Sequence, residues 1–126
     1  MAVTQIKVQS PANVIIFNDT SINNALDAIK ASSAVLYYVI IDNTLNVAAS
    51  YLKLWNVASG SVTVGVTAPD QIIYVPASSL VTVPFYTGAA PGVTFGTALT
   101  AACVTAGGTA GTVSPSSAVV FTAAYV

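Results

Sequence analysis

Short apolar runs, separated by clusters of Gly, Pro, Ser, Asn and Asp, set the rhythm of this chain. Val, Ile, Thr, Tyr and Phe fill those runs, which is the make-up of strands. In residues 3–8, Ile6 and Val8 share one parity and Gln5 and Lys7 the other, so a first strand is predicted there. "NVIIF" at 13–17 predicts a second. Residues 1–20 read either as an edge strand or as an arm reaching a neighbour. From 21 to 31 the period changes. Ile22, Leu26 and Ile29 stand at helical spacing, and Thr20 or Ser21 offers a cap. Asn23 and Asn24 count against a helix. At most one short helix is expected near 21–31, with irregular structure as the alternative.

Residues 35–42 are apolar on both parities, the pattern of a central strand covered on both faces. "DNTLN" at 42–46 is a turn, and "SYLKLWN" at 50–56 then alternates. Leu52 and Leu54 face one way; Tyr51, Lys53 and Trp55 face the other. These two runs are expected to pair as an antiparallel hairpin. Loop residues "ASGS" at 58–61 precede a strand at 71–75, ended by Pro76. The run 80–86 contains Pro84, which cannot donate to a ladder, so an edge strand or a bulge is expected. "TGAAPG" at 87–92 is a turn, and 93–105 and 117–126 are the last two strands. The fold class is therefore all-β. The expected architecture is an antiparallel β-sandwich or jelly-roll-like barrel of about eight strands, one domain over 1–126. No solenoid period is present.

Composition narrows the function. Hydrophobic residues make up 55% of 126, above the usual share. Only Lys7, Lys30, Lys53, Asp19, Asp27, Asp42 and Asp70 carry charge, and Glu, Arg and His are absent. The commonest general base and metal ligand is missing, as is the residue for bidentate phosphate recognition. A net charge of −1 leaves no basic footprint for nucleic acid. So few charges suit a surface buried against other chains, or a neutral Thr-rich β surface. The single cysteine excludes an internal disulfide. The opening "MAVTQIKVQSPANV" lacks a leader pattern. The longest apolar run, 34–41, is too short to span a bilayer as a helix, and an outer-membrane barrel is disfavoured for want of a charged lumen. No membrane association is expected.

The candidate chemistry is thin. Cys103 shares parity with Val93, Phe95, Leu99 and Ala101, the more apolar face, so it reads as a small core residue. A nucleophilic thiol needs a base or an electropositive neighbour, and no His exists. The run "GGTAGTVS" from Gly107 lacks the lysine and spacing of a phosphate loop. It reads as a flexible connection, closed by Pro115. The four Asp are spread out, and nothing in their spacing brings a pair together; Asp42 and Asp70 read as turn formers. No catalytic residue, cofactor or metal site is expected, a calcium site of Asp and loop carbonyls being the alternative left open. Tyr51, Lys53 and Trp55 are the remaining set. They are candidate interface residues for a subunit or partner, with core packing and sugar stacking as alternatives.

The segments "YYVIIDNTLNVAASYLKLWN", "TVGVTAPDQIIYVPASS", "GVTFGTALTAACVTAGGTAGT" and "AVVFTAAYV" bring in a resemblance. Over its last two-thirds the chain is similar to small bacteriophage virion proteins. Those run strand, "DNT", strand "YLKLWN", then "TVG…TAPD", "VPA", "GVTFGTALT", a Gly/Thr loop and a terminal strand. The likeness is one of texture and order, and it carries no catalytic residue. It implies a non-enzymatic virion structural protein, most naturally a capsid decoration or cement protein. The expected partners are further copies of itself, as a homotrimer, and the major capsid protein or other virion subunits. Its place would be the virion, assembled in the host cytoplasm. A tail- or fibre-associated receptor- or glycan-binding module is the alternative.

Overall fold

Residues 13–87 and 90–126 are described by the computed structural model. The strand expected at 3–8 lies outside them. The strands are β1 (Ile15–Asp19), β2 (Asp27–Lys30), β3 (Ala34–Asp42), β4 (Ser50–Trp55), β5 (Gln71–Val75), β6 (Leu80–Pro84), β7 (Tyr86–Thr87), β8 (Ala90–Pro91), β9 (Val93–Phe95), β10 (Leu99–Val104) and β11 (Val120–Tyr125). They form two packed antiparallel sheets. One has the order β1-β11-β3-β6, with β9 also on β3; the other has the order β2-β10-β4-β5. β7 and β8 pair as a small ribbon. The sheets do not close on themselves, so the sandwich forms and the barrel does not.

The two orders run in step and place chain neighbours across the core from each other: β1 with β2, β10 with β11, β3 with β4, β5 with β6. Most connections therefore cross between sheets. This corrects the expected hairpin of 35–42 with 50–56. β3 pairs with β11, β6 and β9, and β4 with β10 and β5. The turn at 43–49 is an arch from one sheet to the other. The strand expected over 93–105 is likewise two strands in different sheets. It breaks at 96–98, where Asn56 Oδ1 accepts from the Thr97 and Ala98 amides at 2.8 and 3.4 Å.

The helix near 21–31 does not form either. Residues 20–26 are an arch leading into β2. Its asparagines bond to backbone instead of continuing a helix: Asn23 Oδ1 accepts from the Ala25 amide, and Asn24 Nδ2 donates to Thr112 O. The apolar residues that suggested one helical face part company. Ile22 and Ile29 enter the main core, whereas Leu26 packs on a second cluster with Trp55 and Val62.

β3 is central, as expected, but its two apolar parities have another cause. The register passes from Ala124↔Tyr38 to Tyr125↔Leu36, leaving Tyr37 as an extra residue. This bulge reverses the parity that faces the core. Ala34 and Leu36 point inward before it, Val39 and Ile41 after it. The opposite face, with Val35, Tyr37, Tyr38 and Ile40, is only half-buried. β6, which ends on Pro84, borders its sheet and among the described strands pairs with β3 alone. The main core is built from both sheets: Leu36, Val39, Ile41, Phe121 and Ala123 meet Leu52, Leu54, Leu99, Ala101 and Cys103.

Candidate functional site

β4 is buried on both faces. Leu52 and Leu54 fill the main core, and their alternates Lys53 and Trp55 have no exposed surface. Two connections lie over that outer face. The first, 56–70, includes a single 3₁₀ turn, Ser59–Ser61, and brings Thr67 O to the Trp55 indole N–H at 3.0 Å. The second, 105–119, carries the glycine run. Lys53 Nζ donates to Gly111 O at 3.2 Å and Thr109 O at 3.5 Å. With no carboxylate beside it, burial alone lowers the Lys53 pKa from its ordinary value. Tyr51 is half-buried at the margin, its ring 5.4 Å from that of Tyr74 on β5. The exposed strip that alternation allowed at Tyr51, Lys53 and Trp55 is thus covered by the chain's own loops.

The glycine run is what lets the cover lie close. A Cβ on Gly111 would stand 2.6 Å from Ala106 O, which only a backbone shift relieves. Gly65, in the other connection, sits at φ +89° against the Thr112 side chain, so the two loops also pack on each other. The carbonyls face an ammonium from the same chain.

Cys103 is free and buried on the inner face of β10, as its parity indicated. Burial pushes its thiol up to about 12, against weaker downward pulls from Ser50 and the Tyr51 backbone. At neutral pH it is a thiol, not a thiolate.

Asp19 and Asp27 overturn the reading that no carboxyls meet. They lie on border strands β1 and β2, opposite the core residues Phe121 and Ala101, with their carboxyls close enough to interact. Asp19 Oδ1 also accepts from the Ser21 amide at 2.8 Å. Asp27 Oδ2 is buried with no partner. Burial first, then the bond and the charge of Asp19, raise Asp27 from 3.8 to about 7. Sequence spacing hid this pair because an arch, not a helix, joins the two residues. Asp42 and Asp70 hold turns. Asp42 Oδ1 accepts from the Thr44 hydroxyl and amide, which lowers its pKa, and Asp70 Oδ2 accepts from the Asn56 amide at 2.6 Å. Among the described residues no three His, Cys, Asp or Glu side chains gather where a metal ion would be held.

The feature with most surface consequence lies at the end of the sandwich where β3 passes to β4. Asn43, Asn46 and Ser50 are buried there. Asn43 Nδ2 donates to Ala48 O and Pro76 O, and Asn43 Oδ1 accepts from Asn46 Nδ2 and the Ser50 hydroxyl at 2.9 Å each. Asn46 Nδ2 reaches Ser117 O, and Asn46 Oδ1 accepts from the Ser117 amide at 2.8 Å. Two asparagines thus tie three connections into one satisfied network. On its outside stand Leu45, Val47 and Leu80, exposed by 69%, 92% and 58%. "DNTLN" signals a turn in sequence; that its asparagines are a buried hub depends on loops far away in the chain.

Among the described residues no helix is long and apolar enough to cross a membrane. No protein-family model, no curated protein and no solved structure matches this chain.

Proposed function

We propose that this protein is a non-enzymatic structural component of a bacteriophage particle, a decoration or cement protein that bridges capsid subunits as a homo-oligomer. The observation that carries the reading is the apolar pole. Leu45 and Val47 are large and exposed on an arch that a buried asparagine hub holds still, and Leu80, also exposed, starts β6 just after the segment whose Ser78 and Ser79 bond to Asn46 and Asn43 of that arch. A rigid apolar surface is ready to be covered at little entropic cost. The low charge count agrees, because a contact of this kind buries no unpaired ion. The resemblance to small phage virion proteins supplies the particle. Cys103 and Lys53 are occupied inside the fold, which supports a role without chemistry.

Mass spectrometry of purified virions tests the role: the chain is expected in stoichiometric amount on the capsid, and its absence ends the proposal. Replacing Leu45 and Val47 together by Asp tests the surface. The pair should leave the melting temperature nearly unchanged and abolish attachment to shells.

A tail- or fibre-borne glycan-binding module is the second reading, and one observation favours it. Tyr74 is 56% exposed and backed by the Tyr51 ring, a small aromatic platform on border strand β5. Trp55, fully buried, takes no part. A glycan array separates the readings: binding lost in Tyr74→Ala supports this one, and a blank array removes it.

A further inference from the structure

We propose that Asp19 and Asp27 form a proton-sharing clasp that closes the β1/β2 side of the sandwich, and that this side loosens once both carboxyls are ionised. The inference goes beyond the particle role and does not depend on it. Its first ground is position. β1 and β2 border opposite sheets, and among the described residues each has a strand neighbour on one side only: β11 for β1, β10 for β2. Among those residues backbone bonding along that side stops there, which leaves the joining of the two strands to side chains and the 20–26 arch. Phe17 is taken up within its own sheet, its ring 6.1 Å from that of Phe121 on β11. Asp19 and Asp27 are placed to join the two strands, at the end where the 20–26 arch begins and finishes.

The second ground is bonding. Two carboxyls bond to each other only when one is protonated and donates its O–H. Asp19 Oδ1 is already engaged by the Ser21 amide, and Asp27 Oδ2 is buried without a partner. If both groups ionised in this geometry, a buried carboxylate oxygen would face a second negative charge with no donor.

The third ground is the surroundings. β1 carries no other charge, and β10, β11, the 20–26 arch and the 105–119 connection carry none. Lys30 is on β2 beyond a register shift, opposite Leu99, and does not contribute to the shift of Asp27. Tyr125 lies at the far end of the β1–β11 ladder, opposite Ile15. Cys103, on the inner face of β10, stays protonated up to about 12 and so remains neutral. Among the described residues none of these groups compensates a second negative charge. The raised Asp27 value then gives the direction. A group held at about 7 when folded, against 3.8 ordinarily, stabilises fully below the lower value. That stabilisation disappears as pH rises through about 7.

Hydrogen exchange on the full chain, corrected for intrinsic rates, tests the clasp. Between about pH 5.5 and about pH 8.5, protection of the β1 and β2 amides should fall by about tenfold or more, while β4 and β5 hold theirs. Asp27→Asn supplies an N–H donor to Asp19 without a second charge, so its β1 and β2 protection should stay flat with pH. A flat wild-type profile, or an equal fall in Asp27→Asn, overturns the proposal. Carbon-13 titration of the Asp27 carboxyl in the wild type is the second measurement, and needs no variant to fold. A midpoint near the ordinary carboxylate value sinks the clasp, and one near neutrality supports it.

Discussion

Replacing Lys53 by Met is expected to stabilise this protein. Lys53 is the one charge in the described chain with no exposed surface. Its ammonium has two carbonyl partners, at 3.2 and 3.5 Å, and the longer is at the limit of a useful bond. Removing such an ion from water costs several kcal/mol even after relaxation. One good charge-assisted bond returns only about 1.5–3 kcal/mol. Met fills a similar volume without the charge, and the carbonyls of Thr109 and Gly111, on a surface connection, can turn to water. The expected gain at neutral pH is about 1–3 kcal/mol, as for other buried ions replaced by apolar residues of similar size. Lys53→Ala removes the stem as well and should cost about 2–4 kcal/mol, in line with large-to-small changes in a core. Equilibrium denaturation in urea, at several pH values, is the assay. The lowered Lys53 pKa fixes the pH trend. The folded chain releases this proton before the unfolded chain does, so the wild type gains stability as pH climbs towards 10.5. The gap between wild type and Lys53→Met should close over that range. A Met variant less stable than wild type by more than about 1 kcal/mol would refute the reasoning, and would show that the ammonium holds the 105–119 cover in place.

Three further outcomes follow from the packing of the two sheets and their covering loops. Cys103 should resist an aromatic disulfide reagent in the native protein at mildly alkaline pH and react at once in denaturant; rapid native reaction would contradict its burial. Gly111→Ala should destabilise by about 1–3 kcal/mol, because the new Cβ meets a carbonyl oxygen and not a side chain that can swing aside; thermal melting reads this directly. Folding should be slow, on the order of milliseconds to seconds by stopped-flow fluorescence of Trp55, because β1 and β10 pair with strands far away in sequence.

Strand positions were legible because period-two alternation is local. β3, β4, β5 and β6 fall close to where the runs of Val, Ile and Tyr place them. Pairing was not legible. A short turn such as 43–49 serves a hairpin and an arch equally well, and only the far partners β11 and β10 decide between them. The same limit explains the 21–31 stretch. Ile22, Leu26 and Ile29 satisfy a helical period, but Ile22 and Ile29 are drawn into the main core and Leu26 to a second cluster, by elements that arrive later in the chain. Cys103 was read correctly because its neighbours in sequence are also its neighbours on the sheet face. Lys53 and Trp55 were ambiguous because the alternation of β4 describes two faces but not what covers them. The cover comes from residues 56–70 and 105–119, whose polarity gives no sign that they lie over anything.

The register of β1 with β11 has a mechanical consequence. Ile15 pairs with Tyr125, so the two ends of the described chain leave the body side by side. Val126 exchanges backbone bonds with Val35 at that same end, while Leu45 and Val47 stand beyond the other end of β3. Nine residues of extended chain put about 27 Å between them. A load applied at Ile15 and Tyr125 would peel the β1–β11 ladder one bond at a time instead of shearing all its bonds together. A label attached at Ile15 or Tyr125 would be carried at the end away from the apolar pole, leaving that pole free to sit against whatever it grips.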